Sequence, residues 1–242
     1  MINFMDLPRE IRDRIYKLLL TVDAEIITHP TWFEEPTDFE AEGVTRPAVA
    51  LLSVNKQISA EASIVLYGNN TWRIPVDHDI RDLESYQGHE HLFRHITVHL
   101  DRRDTDVEDT RDRIEENYTQ WASSTMEERM KLVHNDRLNS LRELVYCRAL
   151  TIAANMRLIR SLVLVLDGLY CPSECCRLDL IKDLYEDFLC VFIPNPQTGL
   201  GPERCPQSLK EVRVAGLKSQ AEKDLVYGEW GVKGAAVEQG TA

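Results

Sequence analysis

The side chains in this 242-residue chain most able to do chemistry are six cysteines and a run of histidines. Cys171, Cys175 and Cys176, with Cys190 and Cys205 downstream, are thiolates whose spacing raises the question of a tetrahedral zinc site. Paired Cys-x-x-Cys knuckles are missing, and Cys175 and Cys176 open an expected helix, where adjacent side chains point about 100° apart. We read these thiols, and Cys147, as reduced and partly buried. His89, His91, His95 and His99 form a second apparent ligand set. His95 and His99 share one face of an expected strand but stand about 13 Å apart at roughly 3.3 Å per residue, too far to hold one ion. A solvated strand face accounts for them. Asp101 and Asp167 lie just past expected strands, where active sites of α/β sheets gather; capping of the following helices explains them equally well. The sequence has no Gly-x-Ser-x-Gly, Gly-x-x-x-x-Gly-Lys or His-Glu-x-x-His pattern. The expectation is a protein with no enzymatic activity, no metal and no cofactor.

The elements that would position these groups follow from apolar spacing. Asp6, an expected N-cap, and Pro8 precede Ile11, Ile15, Leu18 and Leu19 at helical intervals. From about residue 21 to 47 periodicity is lost, and Pro30, Pro36 and Pro47 mix with Glu34, Glu35, Asp38, Glu40 and Glu42, which reads as an acidic loop. Leu51, Leu52, Val54, Ile58, Ala62, Val65 and Leu66 then form a second helical stripe, expected as a kinked pair and stopped by Gly68-Asn69-Asn70. A short strand over Thr71–Val76 follows, with Pro75 marking an edge or an end. Three later segments repeat one spacing: Phe93-x-x-Ile96-x-Val98-x-Leu100, Ile159-x-x-Leu162-x-Leu164-x-Leu166 and Leu209-x-x-Val212-x-Val214-x-Gly216. Each ends as a half-buried strand with an apolar residue three positions ahead, the logic of a leucine-rich-repeat strand at longer, uneven intervals. Helices are expected over Thr105–Gln120, Met126–Met156 and Ser173–Cys190, so the strands should pair in parallel with helices on one side. The tail from 228 to 242 reads as flexible.

With 43% apolar and 28% charged residues the chain is globular in composition. Its net charge of -12, and basic residues interleaved with acids, argue against nucleic acid as a partner. The first residues lack a basic end followed by an apolar run, and no stretch reaches the roughly 18 apolar residues of a membrane span. The expected home is cytoplasm or nucleus, away from membranes. Two sequons, at Asn69 and Asn117, read as chance.

Leu7-Pro8-x-Glu10-Ile11-x-x-x-Ile15-Tyr16-x-Leu18-Leu19, then Leu51-Leu52-Ser53-Val54-Asn55-Lys56-Gln57-Ile58-Ser59-Ala60-Glu61-Ala62, then Leu66-Tyr67-Gly68-Asn69-Asn70-Thr71, resembles the F-box-like family widespread in filamentous fungi. That family reads Leu-Pro-x-Glu-Ile-Arg-x-x-Ile-Tyr, Leu-Leu-x-Val-x-x-Gln-Ile-x-x-Glu-Ala and Tyr-Gly-x-Asn-Thr. The likeness covers about the first third of the chain. It implies a helical module over 1–70 that docks on a Skp-type adaptor through Leu7, Pro8, Ile11, Ile15, Leu51, Leu52, Val54 and Ile58. A degenerate leucine-rich-repeat-like strand and helix domain over 71–227 would hold a client protein for a cullin-type ubiquitin ligase. Two departures, the long acidic loop between the boxes and Asn55-Lys56 in place of the usual Cys-Arg, keep an alternative open. In that alternative the two helices pack internally in a cullin-independent interaction protein.

Overall fold

The computed structural model describes residues 3–27, 47–75, 88–100, 123–167, 177–193 and 206–234. It is a mixed α/β fold. Strands β1 (Ile26–Ile27), β2 (Thr71–Pro75), β3 (His95–His99), β4 (Ser161–Val165), β5 (Glu211–Ala215) and β6 (Lys233–Gly234) form one sheet in sequential order. Every neighbouring pair is parallel. The helices are α1 (Arg9–Leu20), α2 (Lys56–Asn69), α3 (Met126–Asn155), α4 (Arg177–Asp187) and the short α5 (Gln220–Lys223), which runs into a wider turn over Asp224–Glu229.

The repeated spacing in the sequence becomes a stacked ladder. Register aligns Trp72, Ile96, Leu162 and Val212 in one row and Ile74, Val98, Leu164 and Val214 in the next. All eight except the half-buried Val212 belong to the core, as do Phe93 and Ile159, the residues three positions ahead. A parallel strand buried on one face needs this period of two, and a one-residue slip would turn both rows to solvent. Sequential order with parallel pairing means each crossover advances in the same direction, so the helices line one face.

That face is filled at helical spacing by Val145, Ala149, Ile152 and Met156 from α3 and its end, and by Leu180, Ile181, Leu184 and Phe188 from α4 and its end. The 30-residue α3 starts at a reciprocal cap between Thr125 and Glu128. At the other end Tyr67 and Trp72 stack at 5.1 Å and Phe93 closes on Trp72 at 5.1 Å. One contiguous set of buried side chains therefore runs from Tyr16, Leu20 and Ile58 to Val226 and Val232, so α1 and α2 share a core with the sheet.

Several local expectations are corrected. Asp6 does not cap α1; it answers Asn3 across the turn Phe4–Asp6, and Pro8 occupies the N-cap. The second stripe, by contrast, is the kinked pair expected, the helical turn Val49–Ser53 and α2, and the break falls where Asn55 takes an extended conformation and its side chain caps Ile58 N at 2.9 Å. Ile26 and Ile27, inside the expected acidic loop, are edge strand β1, and the run 34–42 lies outside the described residues. Residues 228–234 are not loose: they complete the turn after α5 and supply β6, with Val232 in the core. The helix expected before Gln120 and the expected start of the next one at Ser173 lie outside the described residues; α4 is described from Arg177.

Asn70, read in the sequence as part of the stop after the second helix and of the third box, is fully buried and pins three segments. Its side chain accepts from Val22 N at 2.8 Å and donates to Leu20 O at 2.8 Å and Leu66 O at 2.7 Å. Asn70→Ala orphans a buried N–H and two carbonyls at the ends of α1 and α2, and is expected to lower stability by about 2–3 kcal/mol in urea denaturation. A loss below about 0.5 kcal/mol would mean that water replaces the amide.

Candidate functional site

The two amino-terminal helices are joined by polar side chains. Arg12 donates to both Glu61 oxygens, Nε to Oε2 at 2.9 Å and Nη2 to Oε1 at 2.8 Å, and its Nη1 donates to Leu7 O at 2.6 Å. Tyr16 Oη donates to Glu61 Oε2 at 3.1 Å, Gln57 Nε2 to Oε1 at 3.1 Å, and Arg9 Nη1 lies 3.4 Å from Oε1. The Arg12 guanidinium, seconded by Gln57, Tyr16 and Arg9, outweighs burial and holds the Glu61 carboxyl down at about 2. Burial and the bond to Glu61 push the Tyr16 phenol up, and the same carboxylate raises Arg12.

This clamp decides which way α1 faces. Arg12, Tyr16 and Leu20 are buried, so the inward stripe is i, i+4, i+8 through a charged group and a phenol. Rotated by one position, the aliphatic stripe points out: Ile11 is 40%, Leu18 84% and Leu19 43% exposed, and Ile15 is half-buried. Ala48 N donates to Leu19 O at 2.9 Å, which brings the turn Val49–Ser53 beside the end of α1. Val49 and Val54 on that segment are 52% and 59% exposed. The result is an apolar surface built from both segments.

The eight residues singled out in the sequence divide three ways. Pro8, Ile11 and Val54 are exposed, while Leu7, Ile15, Leu51 and Leu52 are half-buried, the last two resting against the core. Ile58 is 6% exposed and belongs to the core, where it can offer little to a partner. Leu18, Leu19 and Val49 join the outward face although sequence reasoning did not single them out. The helical spacing Ile11, Ile15, Leu18, Leu19 was the available signal.

The other candidates take up structural roles. His95 and His99 lie on one face of β3; His99 Nε2 is 3.1 Å from Glu25 Oε2, His91 Nδ1 is 2.7 Å from Gly88 O, and His89 stacks on Tyr67 at 5.1 Å. Burial raises the Glu25 carboxyl, but hydrogen bonds from His99 and Thr97 and the charge of Arg73 prevail and leave it below its ordinary value. Among the described residues no group of His, Cys, Asp or Glu could hold a metal ion. Cys147 and Cys190 are half-buried, and Cys171, Cys175, Cys176, Cys205 and Asp101 lie outside the described residues. Asp167 packs against Gly216. Among the described residues no helix is long and apolar enough to cross a membrane.

Comparison with known proteins adds no assignment: no family model, no curated protein and no solved structure matches this chain.

Proposed function

We propose that this is a non-enzymatic protein-interaction protein, an F-box-like substrate adaptor of a cullin-type ubiquitin ligase. The outward aliphatic face docks on a Skp-type protein, and the sheet, a degenerate relative of a leucine-rich repeat, presents a client. One observation carries the reading. On α1 a charged residue and a phenol occupy the inward stripe while four aliphatic side chains lie on the outward one. Leu18, the most exposed of them, contributes about 1.5–3 kcal/mol once covered, and the partly covered Ile11, Ile15 and Leu19 each roughly half of that or less, so a helix-in-groove partner could bind with useful affinity.

The test is calorimetric titration of the host's Skp-type adaptor into the full chain. Wild type is expected to bind, and Ile11→Asp and Val54→Asp, both at exposed positions, to bind at least about tenfold more weakly with unchanged melting. Absence of binding by wild type removes the adaptor reading. Leu51 and Leu52 resting on the core favour a second reading, in which the boxes serve the chain's own packing in a cullin-independent interaction protein. On that reading Leu52→Asp lowers the melting temperature and Ile11→Asp changes nothing.

A further inference from the structure

Arg94, Arg160 and Lys210 are far apart in sequence, yet each immediately precedes a strand. The register that pairs His95 with Ser161 and Ser161 with Glu211 sets the three side by side along one edge of the sheet. Arg160 N donates to Arg94 O at 2.7 Å and Lys210 N to Arg160 O at 2.9 Å. Neighbouring strands lie roughly 4.8 Å apart, so the row spans about 10 Å. Arg157 belongs to the same edge, since its carbonyl accepts the Ser208 hydroxyl at 2.6 Å. Arg157, Arg160 and Lys210 are exposed and Arg94 is half-buried.

Arg9, Arg12, Arg142, Arg177, Arg213, Lys131 and Lys182 each have a carboxylate within ion-pair distance. Among the described residues Arg94, Arg157, Arg160 and Lys210 have none, as is true of the scattered Arg14, Lys17, Lys56, Lys218 and Lys223; only the former share one end of the sheet. Of the acids nearby, Glu211 is drawn to Arg213 at 2.7 Å, and Glu90 lines, with His91, Arg157 and Leu158, an open cavity of about 560 Å³. Burial lowers the His95 imidazole, and the nearby charges of Arg160 and Arg94 add to it.

We infer that this edge binds an anionic peptide segment in extended form, its carboxylate or phosphate groups held by Arg94, Arg160 and Lys210. The inference gives the client of the proposed interaction protein a chemistry, and rests on that reading only in this respect. A row of about 10 Å accommodates two acidic side chains at alternate positions of an extended peptide, roughly 6.6–6.8 Å apart. A nucleic acid would carry many more phosphates past the edge, into the field of a chain of net charge -12.

The experiment is fluorescence anisotropy of the full chain with labelled short peptides of alternating alanine and aspartate, alanine and phosphoserine, or alanine and asparagine, beside an oligothymidylate. The aspartate or phosphoserine peptide is expected to bind in a salt-dependent way, the asparagine peptide not at all, and the double variant Arg160→Ser with Lys210→Ser to bind about tenfold more weakly at unchanged melting temperature. Stronger binding of the phosphoserine peptide would mark phosphate as the group recognised, and the reverse carboxylate. The inference falls if neither anionic peptide binds, if the double variant binds as wild type does, or if the oligothymidylate binds more tightly than both. Adaptor titration of wild type reads the other surface: peptide binding by wild type without adaptor binding sinks the adaptor reading alone, and adaptor binding by wild type without peptide binding sinks this inference alone.

Discussion

Glu61→Gln is expected to cost about 3–5 kcal/mol, because it leaves the buried Arg12 guanidinium without a counter-charge. For a chain of this size that corresponds to a fall of about 6–20 °C in thermal midpoint at neutral pH. The loss measures the stranded charge and not the worth of the pair. Exchanging both partners for apolar residues, Arg12→Met with Glu61→Leu, is therefore expected to recover much of it. A pH series gives an independent readout. The Glu61 carboxyl falls from an ordinary 4.5 to about 2 on folding, so its contribution is present above about pH 4.5 and is lost as pH falls toward 2. Wild type should lose stability over that window more steeply than Glu61→Gln, whose amide does not titrate. Parallel acid limbs in the two proteins, or a Glu61→Gln midpoint within about 1 °C of wild type, would remove the clamp as the tie between α1 and α2.

Gly216→Ala is expected to be nearly as damaging. Gly216 ends β5 at φ 77°, and a Cβ there would stand 2.6 Å from both the backbone N and Oδ1 of Asp167. The left-handed conformation costs an L-residue about 1–2 kcal/mol, and forcing a backbone atom aside costs about 1–3 kcal/mol more. The strain reaches the sheet, since Gly216 O accepts from Arg177 Nη2 at 2.7 Å while Arg177 Nη1 donates to Leu166 O at 3.0 Å and Nε to Glu222 at 3.1 Å. Gly231 separates the two effects: its φ is 65°, but nothing lies within 4 Å of the added atom. Gly231→Ala should show only the conformational part, so urea denaturation should find Gly216→Ala worse by about 1–3 kcal/mol. Equal losses at the two positions would exclude the close approach to Asp167 as a cause.

The strands were legible because a parallel strand buried on one face writes its own period. Ile96/Val98, Leu162/Leu164 and Val212/Val214 each declare a strand and the side that faces inward. The long helix was legible for the same reason, and its expected start at Met126 coincides with the observed one. Edge strands of two residues, such as Ile26–Ile27 and Lys233–Gly234, carry no period at all. They exist because β2 and β5 offer them backbone groups to pair with. The orientation of α1 was half legible: the spacing of Ile11, Ile15, Leu18 and Leu19 marks an apolar face, and hydrophobicity alone would turn that face inward.

By itself the sequence determined the local choices, namely which segments are helix or strand and which residues of each strand share a side, because backbone sterics and side-chain periodicity act over a few residues. It also carried the polar box residues Arg12, Tyr16, Gln57 and Glu61, though not what they do. Only the tertiary structure decided that Arg12, Tyr16 and Glu61 turn inward, with Gln57 bonded to Glu61 from the surface, and leave the aliphatic stripe to solvent, because the pairing of Arg12 with Glu61 spans 49 positions. It likewise decided that Arg94, Arg160 and Lys210 form one basic row in a chain whose charges look interleaved along its length, since strand register, a long-range property, sets their spacing.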